Sequence, residues 1–105
     1  MLDDNAFWKR VKGLEGKIIY TIVKNKPLSV VEVDENKLTI SGRKSDILFF
    51  GEWGLYENYH ILYRDGRVKP GDNASASSAT IAIILAAVPD EAVKGDNTEI
   101  RLRSV

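Results

Sequence analysis

Behind Asp3 and Asp4, the apolar residues Phe7, Val11 and Leu14 recur at i, i+4 and i+7. That spacing is one stripe of a short amphipathic helix, with carboxylates at its positive end. Its polar face carries Lys9, Arg10 and Lys12, Trp8 flanks the stripe, and Gly13 or Gly16 ends it. From Lys17 to Lys24 the pattern becomes a run of β-branched and aromatic residues, Ile18 to Val23, which predicts a central strand buried on both faces. Asn25-Lys26-Pro27 breaks that strand. Leu28 to Val33 and Leu38 to Ser41 then alternate apolar with polar positions around the turn chemistry of Asp34-Glu35-Asn36-Lys37. Such short turns make an antiparallel three-stranded meander the economical topology.

After the polar loop Ser41 to Asp46, Ile47 to Phe50 suits either a fourth strand or the start of a helix. Trp53, Tyr56, His60 and Tyr63 then follow at helical intervals of three, four and three. This helix begins at Glu52 or after Gly54, and Gly66 stops it at a left-handed position. Residues 69–76 are a loop by composition. Ser77 or Ser78 caps a third helix, Ala79 to Val88, closed by Pro89. Its stripe is Ile81, Ile84, Leu85 and Val88, and Ile83 falls outside it. The helix is therefore buried on more than one side or meets another subunit. Thr98 to Val105, with Ile100 and Leu102 alternating against charges, reads as an edge strand exposed on one face.

These elements predict an α+β fold for residues 1–105 as one domain: an N-terminal helix, an antiparallel sheet of three to four strands, and two further helices packed on one face. The C-terminal strand is a candidate for the fourth. A chain of 105 residues with 44% hydrophobic and 29% charged residues fits an ordinary globular domain. The absence of cysteine excludes disulfides, thiolate catalysis and cysteine-ligated metals within the chain, and one histidine excludes a histidine-rich metal site. No cofactor is implied. The acidic first residues do not resemble a secretion signal, and the longest apolar run is about half of a membrane span. The expectation is a cytoplasmic protein without membrane association.

Charge is zero overall but segregated. Between Lys9 and Lys26 six cations face only Glu15, whereas from Pro27 to His60 six carboxylates face three cations. The basic stretch makes Lys9, Arg10, Lys12, Lys24 and Lys26 candidates for contact with phosphates, with Tyr20 and Trp8 available to stack on bases. Six of the nine aromatic residues lie between Phe49 and Tyr63, around the single histidine. Trp53, Tyr56, Glu57 and His60 are therefore the candidate ligand pocket. Glu57, His60 and Arg64 share a helical face on which a carboxylate could orient a base, although no motif places a nucleophile beside them. Ile81, Ile83, Ile84, Leu85 and Val88 are the candidate oligomer interface.

Phe7-Trp8-Lys9-Arg10-Val11, Leu14-Glu15-Gly16-Lys17, Lys26-Pro27 with Val30 and Val33, Asp65-Gly66, and Ser78 with Ile84 to Pro89 together resemble a family of small uncharacterised bacterial proteins, of the kind carried by mobile integron gene cassettes. The likeness covers residues 6 to 89 and implies the order helix, three strands, helix, helix. It brings no activity or site that could be transferred. The residues thus favour a non-enzymatic binding or protein-interaction module, a homo-oligomer or the partner of another protein. A nucleic-acid-binding accessory protein using residues 9–26 is the second expectation, and a ligand-binding protein or enzyme around His60 the third.

Overall fold

Asp3 adopts extended backbone angles and its carboxylate accepts the Ala6 N–H at 2.8 Å, which starts helix α1 (Asp4–Lys12) with a side-chain cap. The computed structural model describes residues 1–22, 24–34, 37–41, 48–95 and 98–103, with the side chains of 37 and 48–53 left aside. Phe7, Trp8 and Val11 turn inward from α1, and the Trp8 indole N–H reaches the Asp34 carbonyl at 2.9 Å. A left-handed Gly16, at φ 82°, lets the chain turn into β1 (Ile18–Tyr20). The strands β2 (Pro27–Val33), β3 (Lys37–Ser41) and β4 (Leu48–Gly51) complete an antiparallel sheet in the order β1-β2-β3-β4. Ile19 pairs with Leu28, Val30 with Ile40 and Leu38 with Phe50, and the register shifts between Val30 and Glu32. Of the two readings of Ile47 to Phe50, the strand is observed for Leu48 onward.

The first strand differs from expectation. It is three residues long and lies at the sheet's edge, not its centre. Thr21 ends it by bonding Lys26 twice, through its backbone N–H to the Lys26 carbonyl and through its hydroxyl from the Lys26 N–H. Ile19 and Ile22 go inward, while Ile18 and Tyr20 face outward.

Helix α2 (Glu52–Asp65) leads straight from β4 and stops at Gly66, whose φ of 79° is the left-handed terminator expected there. Helix α3 (Ser78–Ala87) starts at Ser77, whose hydroxyl accepts the Thr80 N–H. It contacts α1, α2, β1 and β6. A helix apolar all round has to be enclosed on several sides, and Ile81, Ile83, Ile84 and Val88 are all fully buried. That explains Ile83 without a second subunit.

The C-terminal segment does not extend the four-stranded sheet. Strand β7 (Ile100–Leu102) is the middle of a second antiparallel sheet, between β5 (Arg67–Val68) and β6 (Ala92–Lys94). It is therefore a central strand, and Ile100 is fully buried. One cluster of buried side chains joins Phe7 and Val11 of α1, Leu28, Val30, Leu38 and Ile40 of the first sheet, α2, α3, and Val68 and Ile100 of the second. Among the described residues no helix is long and apolar enough to cross a membrane.

Candidate binding surfaces

Helix α2 buries Leu55, Asn58, Tyr59 and Leu62. This is the face beside the expected one, because the aliphatic residues at 55 and 62 go to the centre and Tyr56 and Tyr63 take its flanks. The Trp53 side chain lies outside the described residues. The Phe7 and Tyr59 rings stack at 4.2 Å, and Tyr56 packs against Phe7 and Trp8 at 5.9 and 6.0 Å. Tyr56 thus packs against α1. The Tyr59 hydroxyl accepts the Leu2 N–H at 2.8 Å and donates to Glu91 at 2.6 Å, and the Tyr63 hydroxyl donates to the same Glu91 oxygen. Burial, then the bond to Glu91, pushes Tyr63 up to about 12 and raises Tyr59 as well.

His60 is more than half exposed, and its Nε2 lies 3.0 Å from an Asp4 carboxylate oxygen. Glu57 is directed elsewhere, toward the Ser75 hydroxyl at 2.9 Å, while Arg64 grips Asp65 with two bonds of 3.0 Å. The structure therefore separates Glu57, His60 and Arg64 into three different contacts and assembles no acid–base pair from them. No group of three or more histidine or carboxylate side chains among the described residues is arranged to hold a metal ion.

In the basic stretch, Arg10 is committed: it clamps Asp90 with bonds of 3.0 and 3.2 Å. That contact raises the guanidinium's pKa and holds Asp90 below the usual carboxylate range. Lys9, Lys12, Lys17, Lys24 and Lys26 are exposed and form no ion pair among the described residues. Lys17 stands at the start of β1, and Lys24 and Lys26 stand in the turn that leaves it.

The residues expected at an oligomer interface are the chain's own core. Ile81, Ile83, Ile84 and Val88 are inaccessible and Leu85 is half-buried, because α3 is wrapped by α1, α2, β1 and β6. Among the described residues, the most exposed large apolar side chains other than Met1 lie on the first sheet. Ile18, Tyr20 and Val31 are 59%, 55% and 51% exposed. Strand alternation and the pairing of Ile18 with Ser29 place all three on the outer face of β1 and β2. The signal for this was present as the i, i+2 spacing of Ile18 and Tyr20, hidden within an unbroken apolar run.

A second feature lies at the other end of α2. Asn58, fully buried, donates to the Gly54 carbonyl at 2.7 Å and to the Ser75 hydroxyl at 3.1 Å, and accepts from Asn73 at 2.9 Å. Asn73 in turn accepts the Ser75 N–H. This network fixes loop 69–77 beside a polar cavity of about 670 Å³ formed by the end of α2, β5, the loop and Glu99. Comparison with known proteins finds no matching family, no matching characterised protein and no matching solved structure.

Proposed function

We propose that the protein is a non-enzymatic binding module whose outer sheet face, at the β1 edge, receives an extended acidic segment of a partner protein. The observation that carries this reading is the apolar row Ile18, Tyr20 and Val31, open to solvent and bordered by three lysines without ion-pair partners among the described residues. A short edge strand offers unpaired backbone groups to an incoming strand. The lysines disfavour a second copy of the same edge and favour a carboxylate-bearing one. A homo-oligomer through α3 has little motive, since only Leu85 and Ala86 of that helix keep partly exposed apolar surface. A setting in a mobile gene cassette is compatible with such a module and adds no site to it.

The lysines and Tyr20 also support a second reading, single-stranded nucleic acid, in which a base stacks on the tyrosine and phosphates meet the ammonium groups. Two of the three row residues are aliphatic, which suits apolar side chains better than a run of bases. Fluorescence anisotropy with two labelled probes separates the readings: a short peptide alternating glutamate with valine, and oligothymidylate. The module reading expects peptide binding that is lost in the Ile18→Glu, Tyr20→Glu double variant. Tighter oligothymidylate binding with a steep salt dependence would favour nucleic acid, and binding of neither would refute both.

A further inference from the structure

Among the described residues, the cavity beside β5 is lined by three cations, Arg64, Arg67 and Lys69, and three carboxylates, Asp65, Asp72 and Glu99. Their internal pairings are unequal. Arg64 holds Asp65 with two bonds of 3.0 Å, and Asp72 closes the loop by accepting the Lys69 backbone N–H at 3.0 Å. The Glu99 side chain is only 8% exposed and is bound by Arg101 at 3.0 Å, leaving Arg67 a looser contact of 3.9 Å. That bond depresses the carboxyl's pKa, so Glu99 stays an anion at neutral pH. Gly95 makes room for the pair: a Cβ there would come within 2.9 Å of both Arg101 Nε and Glu99 Cγ.

The Lys69 side chain has no ion pair among the described residues, and Arg67 is only weakly engaged. Both line the cavity, and Val68 between them, fully buried, contributes to its wall. On extended backbone, residues two apart share a face with Cα atoms about 6.5 to 7 Å from one another. A doubly charged anion can bridge two cations so placed. The volume exceeds what one phosphate fills, and the carboxylates of Asp72 and Glu99 retain lone pairs that suit hydroxyl donors. None of the described lining residues is aromatic, so among them a nucleobase would find no ring to stack on.

We propose that this cavity binds a small phosphorylated polyol, its phosphate between Arg67 and Lys69 and its hydroxyls directed toward Asp72 and Glu99. The site is independent of the sheet face and can hold or fail without it.

Calorimetric titration of the full chain tests this with glycerol 3-phosphate, inorganic phosphate and glycerol as separate probes. The expected result is a millimolar or tighter dissociation constant for glycerol 3-phosphate, about tenfold or more below that for either other probe. Lys69→Ala and Arg67→Ala should each weaken it about tenfold, while Lys94→Ala, an exposed cation of the same sheet outside the cavity lining, should leave it unchanged. Circular dichroism melts confirm that the variants are folded. No heat with glycerol 3-phosphate in the folded wild type overturns the proposal, as does equal weakening by Lys94→Ala. Equal affinity for inorganic phosphate overturns the polyol assignment.

Discussion

Replacing Ile83 by alanine separates a helix enclosed by its own chain from one held by a second copy. Ile83 is 0% exposed in the single chain. The substitution removes three carbons, each carrying about 0.8 kcal/mol of transfer free energy. The unfilled space adds a cavity cost, bringing the expected loss to about 3–4 kcal/mol. An unfolding entropy of about 2.1 cal/mol/K per residue converts this, for 105 residues, into a drop in Tm of about 15 °C. Thermal unfolding followed by circular dichroism, at protein concentrations about two decades apart, is the assay. The drop should be the same at every concentration, and Ile18→Ala on the outer face should cost less than about 0.5 kcal/mol. A loss below about 1 kcal/mol for Ile83→Ala, or a Tm that climbs with concentration, would refute the enclosed helix and restore an interface through α3.

Three further outcomes follow from single contacts. Asn58→Ala strands the polar groups of Asn73 and Ser75 and should cost about 2–3 kcal/mol in urea unfolding, with faster amide exchange across loop 69–77; unchanged exchange would count against the network. The two α2 glycines should respond with opposite signs. Gly66→Ala, at φ 79°, should destabilise by about 1 kcal/mol, and Gly54→Ala, whose Cβ would meet Ser75 at an ordinary 3.5 Å, should stabilise by about 0.5–1 kcal/mol. Equal signs would contradict these conformations. Tyr63 loses its proton at about 12 in the folded protein, against about 10 unfolded, and Tyr59 is raised in the same direction. The unfolded chain therefore ionises first as pH rises, so this contribution is complete below pH 10 and is lost between about 10 and 12. A Tyr59→Phe, Tyr63→Phe double variant should lack that part of the alkaline decline, and an identical decline would contradict the assignment.

The helices were legible because each carries an apolar period and a chemical stop: Asp3 and Ser77 at N-termini, Gly66 after α2. The alternation of β3 was equally readable, whereas β2 departs from its alternation at the register shift between Val30 and Glu32, which leaves Val31 outward although Val33 is buried. What the chain concealed follows from tertiary placement. Two- and three-residue strands such as β5 and β6 are too short to show a period, so β7 looked like an edge when it lies between them. In β1, an unbroken apolar run carries the same pattern whether one face is open or both are covered. On α2 the weight of the aromatic rings drew attention to Tyr56, His60 and Tyr63, yet Leu55, Tyr59 and Leu62 form the buried face. Two members of the candidate pocket have partners distant in sequence that no local spacing announces, Asp4 for His60 and Ser75 for Glu57. The polar cavity escaped notice for a related reason, since it draws on the end of α2, a loop and the segment before β7.

Partner binding at the outer face of β1 and β2, proposed above, has a residue-level signature. Titrating isotope-labelled protein with the alternating glutamate–valine peptide, and following backbone amide shifts by NMR, tests it directly. Saturable shifts concentrated at residues 17–20 and 28–32 are expected, absent in the Ile18→Glu, Tyr20→Glu variant. Shifts centred on α3 or on the cavity around Lys69, or no shifts at saturating peptide, would contradict it.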